Sequence, residues 1–198
     1  MGPHPYCSQR SVKKIEKNRI RRYIACRYVN TSDPDIRRER MLQNATLSVD
    51  ERVAMLEKSP WEKLAGDELE NFARYLYVGK TAKDETIFNE GDIEPYMCFI
   101  TTGLVRIAKN DSKKNIKTIC EIGPGRTFGE MSIVDGLARS ASATAAEETT
   151  LLVLTKENFD KMLAENQKLA LALYAKLAQM MSHRLRISDW MLVEYLYE

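Results

Sequence analysis

The spacing of hydrophobic positions changes along the chain, and each change marks a different kind of element. From Ser11 to Asn30, Val12, Ile15, Ile20, Tyr23, Ile24 and Tyr28 fall roughly on one side of a helix. Lys13, Lys14, Lys17, Arg21 and Arg22 surround the rest of it. Asn30-Thr31-Ser32-Asp33-Pro34 interrupts this pattern, and Asp33 before Pro34 suits the cap and first turn of a new helix. Ser48-x-x-Glu51 and Ser59-x-x-Glu62 have capping-box spacing, in which hydroxyl and carboxylate each accept a free backbone N–H of the first turn. Two short helices are expected there. GDELENFARYLYV follows, with Leu69, Phe72 and Leu76 as its apolar stripe.

From Thr86 the period shortens. TIFNEGD, YMCFITTGLVRIAKN, IKTICEIGPG and TTLLVLTKENF are β-rich runs broken by Gly91-Asp92, Gly103, Asn110-Asp111 and Gly123-Pro124-Gly125. Six to eight strands at this spacing predict a closed antiparallel barrel or jelly roll. From Lys156 to Glu198 the helical period returns and is expected to continue. Ala170, Leu173, Leu177, Met181, Leu185, Leu192 and Tyr195 recur with no Gly or Pro between them. The fold class is therefore α+β, mainly β: helices, a β roll, then a long closing helix. The expected division is a basic helical extension over 1–47 and a domain over 48–198. Within that domain, helices occupy 48–80, the roll 84–156 and C-terminal helices 157–198.

Composition changes this picture little. A chain of 198 residues suffices for one packed domain and an extension. The longest aliphatic run, Leu151 to Leu154, is far short of a membrane span. No charged-then-apolar leader opens the chain, so a cytoplasmic location without membrane contact is expected. Cys7, Cys26, Cys98 and Cys120 form no CxxC pair, and His4 and His183 are the two imidazoles. Neither a metal site nor a Cys/His nucleophile is expected from that set. Charge matters more. Residues 1–40 carry a net of +7 and the remainder −5, so a basic arm precedes an acidic body.

Candidate chemistry concentrates in GPGRTFGEMSIVDGLARSASATA, Gly123 to Ala145. Its texture is small and apolar, yet Glu130 and Arg139 lie within it, and buried charges need partners. Gly129 admits a ligand close to the main chain. The next residues can open a short helix whose free N–H groups suit an anion. Arg139, expected at the start of the next strand, offers a planar fork for phosphate oxygens. A carboxylate repels phosphate, so Glu130 is suited to a sugar hydroxyl. Together they describe a pocket for one phosphate fused to one ribose. The alternative is that Glu130 and Arg139 pair with each other around nothing. A dinucleotide-loop reading of Gly123, Gly125 and Gly129 fails on spacing.

FGEMSIVDGLARSASATA resembles the phosphate-binding cassette of the cyclic nucleotide-binding domain family, F-G-E-[LM]-[AS]-L-x-x-x-x-x-R-[AST]-A. TIFNEGD, FITTGLVRI, EIGPGRTFGE and VLTKENF agree with the wider pattern over about residues 50–190. The resemblance implies an eight-stranded β roll flanked by helices. It implies that Glu130 accepts the ribose 2′-hydroxyl and that Arg139 neutralises the cyclic phosphate. Backbone N–H groups near Gly129, Met131 and Ser132, with those of Ser140 and Ala141, complete the cradle. Similarity to the bacterial activator branch adds Arg184 and Ser188 as ligand contacts, although Ser188 also suits an ordinary polar helix position. Ile119 and Ile122 floor the base pocket or belong to the core. Arg139-Ser140-Ala141 favours cAMP, with cGMP the alternative, because a hydroxyl after the arginine also suits a guanine amino group.

No nucleophile–base pair or acid–base dyad surrounds the cassette, so binding rather than turnover is expected, with no cofactor. The expected function is a cyclic nucleotide sensor that signals through its closing helix to a protein partner or dimer mate. No winged helix-turn-helix is expected after that helix within these 198 residues. Ala178, Met181, Leu185, Ser188, Leu192 and Tyr195 have the alternating spacing of a parallel homodimer seam, or of a stripe packed on the chain's own roll. Two other functions stay open: a nucleic-acid regulator gripping through the Ser11–Arg40 arm, and a ligand-free interaction module.

Overall fold

The computed structural model describes residues 47–57 and 68–197. The Ser11–Asn30 helix, the Asp33-Pro34 start and the Ser59 capping box lie outside these residues. Helix α1 spans Val49–Glu57. It opens on the expected capping box: Ser48 N donates to Glu51 Oε2 at 2.8 Å and Glu51 N to Ser48 Oγ at 3.2 Å. Helix α2, Leu69–Arg74, buries Phe72 and Ala73.

The helical region ends earlier than the boundary at 80. Tyr77–Thr81 is strand β1. It contains β-branched Val78 and Thr81 and the poor helix former Gly79, and a neighbouring strand supplies a partner for every residue. The other strands are β2 (Thr86–Phe88), β3 (Tyr96–Thr102), β4 (Val105–Asn110), β5 (Ile116–Ile122), β6 (Thr127–Phe128), β7 (Ser142–Ala145) and β8 (Thr149–Thr155). Helix α3, Glu130–Asp135, lies between β6 and β7. Among the described residues these eight strands form two antiparallel four-stranded sheets, ordered β1-β8-β3-β6 and β2-β7-β4-β5. This is the eight-stranded roll.

The apolar runs in β3 and β8 have a physical cause: both faces of these strands are covered. Cys98, Ile100, Leu151 and Val153 pack inside the roll with Phe88 and Phe128. Their neighbours Met97, Phe99, Leu152 and Leu154 face outward into a second cluster with Phe72, Leu76, Phe159 and Leu173 from the helices. Strand β5 is the opposite case. It is the edge of its sheet and is exposed along nearly its whole length.

The C-terminal region is two helices, α4 (Lys156–Glu165) and α5 (Gln167–Tyr197), rather than one continuous run. Asn166 divides them. Its N–H donates to Met162 O at 2.8 Å, and its Oδ1 accepts from Leu169 N at 3.1 Å. One residue thus closes α4 with its backbone and caps α5 with its side chain. The first turns of α5 bury Leu169, Ala170, Leu173 and Leu177. Met181 is half-buried, while Ala178, Leu185, Ser188, Leu192 and Tyr195 are exposed. The stripe therefore does not pack on its own roll. At 31 residues α5 is about 46 Å long, more than one small body covers. No helix among the described residues is long and apolar enough to cross a membrane.

Candidate functional site

The turn from β6 into α3 passes through Gly129 at φ +78°. A Cβ there would stand 2.8 Å from Arg139 Nη1 and 2.9 Å from Tyr96 O. Glycine is required twice over, for left-handed backbone and for the guanidinium beside it. After α3 the chain turns at left-handed Gly136 and passes without regular secondary structure through Arg139. Arg139 N donates to Asp92 O at 2.8 Å, and its carbonyl accepts from Gly91 N at 2.9 Å. Arg139 therefore precedes β7, which begins at Ser142, instead of opening it.

Arg139 is 4% exposed. Its Nη1 donates to Tyr96 O (2.7 Å), Gly129 O (2.9 Å) and Ser132 Oγ (2.7 Å). Nε and Nη2 find no hydrogen-bond partner among the described residues. Burial pulls the guanidinium below its ordinary pKa, against the opposing influence of Tyr96, Cys98 and Glu94. An arginine nonetheless keeps its charge in proteins. One end of the fork is fully engaged, and the Nε/Nη2 edge, which matches two phosphate oxygens, is free.

Glu130 is 3% exposed. Its Oε1 forms an ion pair with Arg184 of α5. Arg184 also donates through Nη2 to Thr127 O at 2.6 Å, and Ser188 Oγ donates to Arg184 O at 3.0 Å. Glu130 Oε2 has no hydrogen-bond partner among the described residues. Glu130 and Arg139 thus do not satisfy one another, and the mutual-pairing alternative is overturned. Each keeps an unanswered polar edge in a buried setting, which costs free energy unless a ligand or water completes it.

Both open onto a cavity of about 660 Å³. The cassette lines it with Gly129, Glu130, Met131, Ser132, Arg139, Ser140 and Ala141. Ile119 and Ile122 of β5 and Arg184 and Ser188 of α5 line it too, so every candidate site residue from the sequence meets here. Ile119 is 59% exposed and is not core, whereas Ile122 packs partly against the inner cluster. Ser140 Oγ donates to Met131 Sδ at 3.6 Å. The structure adds residues that sequence reasoning missed. Phe88 and Cys120 line the cavity, and the Arg139 guanidinium carbon lies 4.1 Å from the Phe88 ring centroid and 4.3 Å from that of Tyr96. The sole hint was the adjacent pair Ile87-Phe88, which breaks strand alternation; both residues are buried.

A β roll closed by helices, with a buried arginine and glutamate opening onto one cavity, defines a domain built to hold a small anionic ligand. Comparison with known proteins makes this specific. The profile of the cyclic nucleotide-binding domain matches residues 79–166. A cyclic nucleotide-binding domain from Methylobacillus flagellatus has 32% identity and a TM-score of 0.62, covering 71% of this chain and 79% of that one. The cyclic AMP receptor protein of Thermus thermophilus is 36% identical over 121 residues, 61% of this chain and 52% of the receptor. A cyclic nucleotide-gated potassium channel of Rhizobium etli is 30% identical over 110 residues, 56% of this chain and 29% of the channel. The chain belongs to the cyclic nucleotide-binding domain family. It spans about half the length of the receptor and under a third of the channel.

Proposed function

We propose that residues 48–198 form a cyclic nucleotide sensor, with cAMP as the preferred ligand, in a cytoplasmic regulatory protein. One observation carries the reading: two oppositely charged side chains, both nearly inaccessible, each present an unpaired edge to the same cavity. Arg139 Nε and Nη2 take the cyclic phosphate, and Glu130 Oε2 takes the ribose 2′-hydroxyl. Backbone N–H groups around Gly129, Met131, Ser132, Ser140 and Ala141 surround the phosphate. The base lies toward Ile119 and Ile122, under Arg184 and Ser188.

Signal leaves through α5. Glu130 is the common partner of ligand and Arg184, so occupancy changes the interactions of the helix directly. The ligand shifts the helix only by its differential affinity for the two arrangements. The exposed stripe Leu185, Leu192 and Tyr195 passes the change to a second copy or another protein. Calorimetric titration with cAMP, cGMP, 2′-deoxy-cAMP and a cyclic dinucleotide tests the reading. Binding of cAMP ahead of cGMP, weakened by loss of the 2′-hydroxyl, is expected. Absence of heat with all four sinks the sensor, and equal affinity for cAMP and its 2′-deoxy form removes Glu130 from its role.

A further inference from the structure

The inference rests on Arg139 as the phosphate ligand and concerns what aims it. A guanidinium on a flexible stem samples many directions, and a ligand must then stop that motion at its own expense. Arg139 is held on several sides. Three acceptors from β3, the β6–α3 turn and α3 engage Nη1. Two aromatic rings confine the plate. The Phe88 and Tyr96 rings are inclined at 75° with centroids 5.9 Å apart. The guanidinium carbon, 4.1 and 4.3 Å from them, sits in the corner at roughly a right angle between the two.

That corner is itself built. Strand β2 slips register against β7: Thr86 pairs with Thr144, but Phe88 pairs with the next residue, Ala143. Two steps on one strand oppose one on the other, a bulge that re-aims the side chain after it. Ile87 and Phe88 are both buried as a result. The Tyr96 hydroxyl donates to Ile87 O at 3.0 Å, tying the second ring to the bulge that orients the first.

We propose that Phe88 and Tyr96 are positioning residues for anion recognition, and that the β2 bulge with its Tyr96–Ile87 brace fixes the free Nε/Nη2 edge of Arg139 before a cyclic phosphate arrives. Plain core packing is the rival, since Phe88 also touches Phe128 in the inner cluster.

A double-mutant cycle on the full chain separates the two, with cAMP affinity read by calorimetry and folding by urea denaturation. Phe88→Leu keeps the apolar bulk and removes the ring face. It should weaken binding about five- to tenfold, within the range of partly desolvated cation–π contacts. In an Arg139→Leu background the same change should have no further effect. An unchanged affinity, or an equal loss in both backgrounds, overturns the proposal. If Phe88→Leu does not fold, Tyr96→Phe decides: it retains the ring and deletes the brace. In the ligand-free protein the Arg139 Nε–H resonance should be a single sharp signal and should broaden in Tyr96→Phe. A resonance identical in both proteins also overturns the proposal, whether or not a nucleotide binds. If Arg139→Leu itself binds like the parent, the sensor reading fails instead.

Discussion

Arg139 and Arg184 face the same cavity and are held in opposite ways. Arg139 belongs to the roll: main-chain carbonyls, a serine and two rings grip it, and solvent hardly reaches it. Arg184 belongs to α5, its side chain is 45% exposed, and it is held by Glu130 and Thr127 O. The first is part of a rigid wall. The second is delivered by a helix that meets the roll through Arg184 and leaves Leu185, Leu192 and Tyr195 exposed. An interaction in a dry site is worth far more than the same pair in water. The phosphate end should therefore govern affinity, and the helix end should govern what affinity is coupled to.

The sharpest way to break this contrast is Arg139→Leu. It removes the charge-assisted fork and should cost about 1.5–3 kcal/mol of cyclic nucleotide binding, seen as a weaker but still titratable affinity by calorimetry at raised protein concentration. Gly129→Ala should come next. The left-handed backbone alone costs about 1–2 kcal/mol for a residue with a Cβ. That Cβ also collides with Arg139 Nη1, so thermal stability and affinity should fall together. A variant that loses stability yet binds normally would show that the guanidinium is not fixed by its surroundings.

On the helix side the expected effects are smaller. Glu130→Ala should weaken cAMP by about 1 kcal/mol and leave 2′-deoxy-cAMP almost unchanged, because only the former uses the lost acceptor. Arg184→Ala should change affinity by less than about 1 kcal/mol, as befits a half-exposed partner. Its main consequence should be a freer α5, read as faster amide hydrogen exchange beyond Met181. Equal losses from Arg139→Leu and Arg184→Ala would erase the distinction between wall and lid.

How much of this was legible in the chain depends on whether the cause was local. The capping box at Ser48, the strand punctuation and the cassette are short-range patterns, and they read correctly. Glu130 and Arg139 are nine residues apart in one motif, so their convergence was also legible. Their partners were not. Arg184 reaches Glu130 across 54 positions, and Phe88 meets Arg139 through a bulge on an edge strand. The strand at Tyr77 was read as helix because its value lies in pairing with Thr149–Val153, far along the chain. Asn166 did carry a local signal, an N-cap residue ahead of a helical run, which the unbroken apolar period masked.

The smallest expected effect concerns the two described cysteines, of which Cys120 lines the cavity and Cys98 lies in the inner core. Cys98 is buried on β3, and desolvation pushes its thiol up to about 12. It keeps its proton at any working pH below that value and offers no thiolate to a reagent. Cys120 is exposed on β5, paired with Ile107, and lines the cavity. At pH 8 a maleimide should therefore label Cys120 and spare Cys98 in the folded protein, as located by peptide mass mapping. Saturating cAMP should slow labelling of Cys120 severalfold. Labelling of Cys98 at a comparable rate would mean that β3 opens readily, contrary to its burial on both faces. An unchanged rate at Cys120 would move the base away from β5, and the phosphate end alone would then define how the ligand is held.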